Sequence, residues 1–422
     1  MVAIRFGRLL RNARVTLESI VAGWSEDTAP AAKGRHVLAI QDTTDINLTT
    51  TEGQDRGLGV LGTGERRGHL LHPMIAVDAE TQECLGLVCG TLWTRPETEI
   101  IKTKKGKKRK NPRRPFEEKE SRHWVETAQK AKAILSDAAV VTMIADREAD
   151  IYQMWALVPD EKVHVLGRAY HDRRLADGGT LTTAAAHWPV LGTRCITIRG
   201  HENGPEREAN LAVTAGTITF PRPREKRYAD LPEQVTLTLI ELTEPHPPEG
   251  VDPVTWRLLT THVVPDAAAA WQIVDWYRSR WIIEQFFRTL KKQGFHIEDS
   301  QVETAERLLK LVAIAARAAV ITIQLTQARD GISTLSAAMV FSPAEIMTLQ
   351  SLDKSYAKPT QARNNPHPPH SLSWASWLIA RLGGWSGYGG KTRPPGPITF
   401  KNGLDVLRNM ARGWVLRDMY IP

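Results

Sequence analysis

Two short apolar runs, "HVLAIQ" at 36–41 and "VVTMIA" at 140–145, are each followed at once by an aspartate, Asp42 and Asp146. No other pattern in the chain constrains the fold as strongly. Runs of this length, rich in Val and Ile, read as strands buried on both faces. A carboxylate closing such a strand sits beside apolar core, where an unpartnered charge is costly. Each acid therefore needs a cation from the chain, Arg147 being a ready partner, or a divalent metal. Two or three carboxylates converging on one sheet edge make the oxygen-rich site that Mg²⁺ prefers.

The surrounding chain supplies a mixed layer for those strands. "HVLAIQDTTD" (36–45), "LLHPMIAVDAE" (70–80) and "CLGLVCGTLWT" (84–94) read as an antiparallel meander of strands. A helix over 117–136, with Ser121 as its N-cap, precedes the Asp146 strand, and "ADIYQMWALV" and "KVHVLGRAY" then read as helix and strand. This order predicts an α/β fold. Residues 171–262, with "RCITIRG", "ANLAVTAGTITF", "QVTLTLIEL" and "TWRLLTTHVV" broken by Pro and Gly, predict an all-β insertion. Helices follow at 266–294 and 305–329, and a proline-rich joint, "NNPHPPH", leads to a helical end. The expected organisation is an N-terminal segment over 1–34, a main domain over 35–330 and a helical region over 331–422.

The helix over 275–294, "DWYRSRWIIEQFFRTLKKQG", places one carboxylate, Glu284, among many cations. On a helical wheel Tyr277, Arg280, Glu284, Arg288 and Lys291 fall within a narrow arc, from about 300° through 0° to about 20°. Ile283, Phe286, Phe287 and Leu290 occupy an adjoining arc at about 180° to 280°, which marks the core stripe. The polar ribbon is either a surface face laced with ion pairs or a third acid flanked by phosphate-binding side chains.

With 422 residues, 42% hydrophobic and 24% charged, the chain can bury a large core and predicts two or three domains. The longest apolar run, at 308–325, is interrupted by Lys310 and Arg317, and the chain opens on no signal sequence, so neither a membrane span nor export is expected. Cys84, Cys89 and Cys195 form no metal knuckle or disulfide framework, which suits a reducing cytoplasm. The net charge of +8 is focal: "KTKKGKKRKNPRR" at 102–114 holds nine Lys or Arg and no acid. Such a run is either a solvated or targeting segment or a phosphate-tracking loop, and both readings stand. Two glycine patterns are rejected as nucleotide sites. "GLGVLG" (57–62) precedes no helix and reads as a hairpin loop, and "WSGYGGKT" (385–392) has Trp385 where a phosphate loop needs its first glycine.

"QDTTD" around Asp42, "ADREAD" around Asp146 and the spacing Y-(2)-R-(3)-E-(6)-K realised by Tyr277, Arg280, Glu284 and Lys291 resemble the DDE transposases of bacterial cut-and-paste insertion sequences. The likeness is nearest to the hairpin-forming insertion-sequence-four group and extends to "ARLGGW" near the C-terminus. It implies a ribonuclease-H-like fold interrupted by a β insertion and followed by a mostly helical region that dimerises on DNA. It implies that Asp42, Asp146 and Glu284 hold two Mg²⁺ or Mn²⁺ ions. It also implies that Tyr277, Arg280 and Lys291 contact phosphates, with Arg147 and, on weaker likeness, Arg168 as further DNA contacts, while Arg288 is a candidate DNA contact from its place on the helical ribbon beside Glu284. Trp256, in "TWRLLT", matches a family tryptophan that stacks on a flipped base.

The partners implied are double-stranded transposon ends and target DNA, bound by a homodimer in the bacterial cytoplasm, in association with the nucleoid. The family's usual DNA-recognition domain precedes a segment like "RFGRLLRNARVTLESIVAGW", with which this chain opens. A truncated, catalytically idle module that represses a relative is therefore a second expectation. A general nuclease of the same fold is a third.

Overall fold

The computed structural model describes residues 2–49, 56–62, 66–96, 115–198, 206–356, 364–387 and 393–420. The basic run at 102–114 and most of "WSGYGGKT" lie outside the described residues. In chain order the strands are β1 (His36–Gln41), β2 (Thr44–Asn47), β3 (Gly59–Leu61), β4 (Arg66–Asp78), β5 (Cys84–Trp93), β6 (Val140–Ala145), β7 (Val163–Arg168), β8 (Gly192–Ile198), β9 (Arg207–Pro221), β10 (Gln234–Thr243) and β11 (Thr255–Thr260). The helices are α1 (Val2–Arg11), α2 (Leu17–Ala22), α3 (Thr28–Ala32), α4 (Arg122–Ile134), α5 (Tyr152–Leu157), α6 (Leu181–Ala185), α7 (Ala267–Arg278), α8 (Trp281–Lys291), α9 (Ala305–Ala328), α10 (Pro343–Tyr356), α11 (Leu372–Leu382) and α12 (Pro397–Tyr420). The chain divides into two compact units, one of 1–33, 43–109 and 282–422, the other of 34–42 and 110–281.

The unit of 34–42 and 110–281 is built on one mixed sheet. β1, β6 and β7 run parallel, His36 facing Val140 and Val141 facing Val163. β11 then pairs antiparallel with β7, and β10, β9 and β8 extend the same sheet. The parallel strands are buried almost throughout, as their apolar runs require. Helix α4 sets Trp124 into a buried cluster with Ala145 and Ala149, which holds the end of β6 and the turn after it. Residues 171–262 are mostly β rather than all β. Thr180 accepts from the Thr183 amide and Thr183 reciprocates, and this capping box starts the short helix α6.

The other unit carries the meander. β2, β3 and β5 each pair antiparallel with β4. "GLGVLG" is therefore not only loop, since Gly59–Leu61 is a strand on β4. A Cβ on Gly59 would stand 2.3 Å from the Arg95 carbonyl oxygen, so the strand tolerates no side chain there. Helix α9 packs on β5, and Trp24 donates from its indole nitrogen to the Ala313 carbonyl at 3.1 Å. By length and composition α9 is apolar enough to cross a membrane, yet 67% of that stretch is buried inside the protein, which fits a core helix. Helices α10, α11 and α12 pack on one another, and α11 and α12 also pack on α9.

The helix expected over 266–294 is two helices. α7 starts where Asp266 caps the Ala269 amide and ends at Ser279, whose hydroxyl bonds back to the Asp275 carbonyl at 3.2 Å. Ser279 and Arg280 form the turn between the two helices. The single polar ribbon read from the wheel is thus divided: Tyr277 closes α7, Arg280 lies in the turn, and Glu284, Arg288 and Lys291 ride α8.

Candidate active site

Ile40 of β1 faces Ile144 of β6, and two residues on, Asp42 and Asp146 leave the same end of the two strands in the same register. The carboxyl ends of parallel strands are where open α/β sheets gather ligand-binding loops. Asp42 is 8% exposed, and its Oδ2 accepts from Arg280 Nη1 at 2.9 Å. Asp146 is half-buried and accepts the Glu148 amide at 2.7 Å, so one of its oxygens fixes the turn that carries Arg147. Arg147 itself is exposed.

Tyr277 brings the phenol of α7 to this edge and is 7% exposed. Burial pushes its phenol above the usual range, the Arg280 and Arg168 charges oppose that shift, and Asp146 and Asp42 add to it. The phenol is therefore a proton donor at neutral pH. Arg168 ends β7 one step past the Ala145–Gly167 pair, which puts it opposite Asp146. Burial pulls its guanidinium below the usual value, Tyr277 counters this, and Arg147 and Arg280 reinforce it. Arg168 lies over Trp256, 5.8 Å from the ring centroid, and donates to the Thr255 carbonyl at 3.3 Å. Trp256 meets Tyr277 edge-on, with centroids 6.0 Å apart at 71°. The sheet thus unites six of the ten expected residues, Asp42, Asp146, Tyr277, Arg280, Arg168 and Trp256, with Arg147 in their electrostatic range.

Glu284, Arg288 and Lys291 belong to the other unit. Lys291 contacts Asp45 at 3.4 Å and Glu298 at 3.8 Å, and Asp45 also pairs with Arg66 at 2.9 Å. The second aspartate of "QDTTD" is therefore part of the Lys291 ion-pair group. Glu284 is half-buried and Arg288 exposed.

The donor chemistry at the β1–β6 edge suits a hard cation: carboxylate oxygens, with no thiol or imidazole among the residues just described. The set within that unit is two carboxylates. Among the described residues no group of three or more His, Cys, Asp or Glu side chains is disposed to hold a metal ion. The Arg280–Asp42 pair is invisible to sequence reading because it joins residues 238 positions apart. Asp150, the last acid of "ADREAD", also escaped: its side chain is 1% exposed and ion-paired to Arg173 at 3.0 Å.

A family model described as "Transposase DDE domain" matches residues 34–321. Among solved structures, the cryo-EM structure of piggyBac transposase synaptic complex with hairpin DNA is similar at 8% identity and a TM-score of 0.33, covering 70% of this chain. The chain spans about half of that protein's length, 48%.

Proposed function

This chain belongs to the transposase DDE domain family, and from that premise we propose that it is a DNA transposase cutting phosphodiester bonds at transposon ends. The observation that carries the reading is the pair Asp42 and Asp146 on neighbouring parallel strand ends, with Arg280, Arg168 and the Tyr277 phenol at the same edge. In this proposal Asp42, Asp146 and Glu284 hold two Mg²⁺ or Mn²⁺ ions. Such ions, when bound, activate an oxygen nucleophile and stabilise the leaving oxygen.

The chain's own side chains do the positioning. Arg280 and Arg168 grip phosphate oxygens with fixed guanidinium forks, and Arg147 adds an exposed cation beside them. Tyr277 stays protonated and donates a hydrogen bond to a phosphate oxygen. Trp256 receives an unstacked base, a contact on the order of 1–3 kcal/mol that offsets the cost of unstacking. Arg288 and Lys291 bind DNA beyond the reacting phosphate, Lys291 exchanging its carboxylate partners for phosphate. The reaction order is a first cut by water that frees a 3′ hydroxyl, attack of that hydroxyl on the opposite strand to close a hairpin, opening of the hairpin by a second water, and strand transfer. The helical region over 331–422 supplies the dimer contact, and the setting is the bacterial cytoplasm.

A second reading, a DNA-binding module that no longer cuts, draws on the two-carboxylate set at the β1–β6 edge. Supercoiled plasmid carrying the inverted repeats that flank the gene separates the two. With Mn²⁺ the wild type nicks it, and Asp146→Asn slows nicking by roughly a hundredfold or more, the scale of losing one preorganised electrostatic group. Equal binding by both proteins, with no nicking by either, would establish the idle module.

A further inference from the structure

Among the described residues only Tyr170 and Trp281 are exposed large aromatics, and Tyr170 is the more open at 63%. It stands two residues past Arg168, in the segment that leaves β7 at the site edge. Exposed aromatics on mobile loops are ordinary, but the main chain here is held. Asp150 Oδ2 accepts the amides of Tyr170 at 2.9 Å and His171 at 3.2 Å, and Asp150 Oδ1 accepts Arg173 Nε at 3.0 Å. The Asp150 carbonyl accepts from the same guanidinium. A carboxylate this buried is tolerated only when its lone pairs are filled, so the bonds that satisfy Asp150 also fix residues 170–173. The fixed segment turns outward an aromatic pair, Tyr170 and the exposed His171, whose rings meet edge-on with centroids 4.6 Å apart at 77°.

A rigid backbone under an exposed ring is what a stacking platform needs, because little freedom is lost when a base settles on it. The cations that would hold the adjoining phosphates, Arg168 and Arg147, are within electrostatic range of each other at the same edge.

We propose that Tyr170, with His171 packed against it, is a stacking site for an unpaired nucleobase next to the phosphate bound at the Asp42–Asp146 edge, and that Asp150 is its positioning residue. This inference rests on the DNA-cutting reading above. It adds a second aromatic contact to that of Trp256.

The test uses full-length protein and a forked duplex whose unpaired arm carries 2-aminopurine, a base that loses fluorescence when stacked. Wild type and Tyr170→Phe quench the probe on binding. Tyr170→Ala, with unchanged thermal midpoint, does not, and its affinity for the fork falls roughly 5- to 150-fold, the range of one stacked base, while blunt-duplex affinity holds. Quenching by Tyr170→Ala equal to wild type overturns the proposal. So does an equal loss of affinity for fork and blunt duplex, or a change confined to self-association. Cleavage of the same fork with Mn²⁺ is scored in parallel: quenching without cleavage removes the DNA-cutting reading alone, and cleavage with quenching independent of Tyr170 removes this inference alone.

Discussion

Asp42 and Arg280 face each other at 2.9 Å with side chains only 12% and 20% exposed, so the pair is poorly screened by solvent. Removing the guanidinium leaves a carboxylate in a poorly solvated place, which costs more than the pair itself contributes. Arg280→Met is expected to lower stability by about 1–3 kcal/mol, read as a shift of the urea midpoint. A midpoint equal to wild type would show the pair to be idle. A second residue-scale expectation concerns His262. Its ring stacks on His164 with centroids 3.8 Å apart and shares the buried Thr142 hydroxyl with His36, both contacts at 2.8 Å. Burial, then the neighbouring His164 and His36, pull its pKa down to about 3.

The fold therefore favours neutral His262, while the unfolded chain takes up a proton near its ordinary value. This contribution to stability is complete above about pH 6.5 and is lost as pH falls toward about 3. Between pH 7 and 5 the loss is about 2 kcal/mol, and His262→Gln should flatten that slope in urea titrations. A slope unchanged by the substitution would contradict the assignment. Little of this was legible beforehand. Asp42 and Asp146 stood out because an acid ending an apolar run is unusual, but His36, Thr142, His164 and His262 lie on four separate segments with no shared periodicity.

At the scale of elements, the strands were the most readable parts. β1, β6 and β7 coincide with apolar runs because both faces of a central strand must be apolar, and β10 coincides with a Thr/Leu alternation in which buried and more exposed residues alternate over its first half. The break between α7 and α8 was hidden because neither Gly nor Pro marks it. "ARLGGW" acquires a packing reason instead. A Cβ on Gly383 would lie 2.0 Å from the Thr399 carbonyl oxygen, and one on Gly403 would lie 2.0 Å from that of Ile379. The end of α11 and the body of α12 thus touch backbone to backbone. Gly403→Ala improves helix propensity by about 1 kcal/mol, yet it is expected to destabilise the protein by about 1–3 kcal/mol net through overpacking. A rise in thermal midpoint for Gly403→Ala would refute the close approach.

For the molecule as a whole, the sequence pattern led to the family and to the β1–β6 edge, while the partition into two discontinuous units was not visible in it. The units interleave along the chain, and contiguous reading favours contiguous domains. The account turns on whether Asp42, Asp146 and Glu284 serve one metal centre. Fe²⁺ put in place of Mg²⁺, with ascorbate and peroxide, generates radicals that cut the main chain beside the metal, and mass spectrometry locates the cuts. The prediction is cutting near residues 42, 146 and 284 together, all of it suppressed by excess Mg²⁺ and lost in Asp146→Asn. Cuts near 42 and 146 without 284, or cuts indifferent to Asp146→Asn, would contradict the three-carboxylate site.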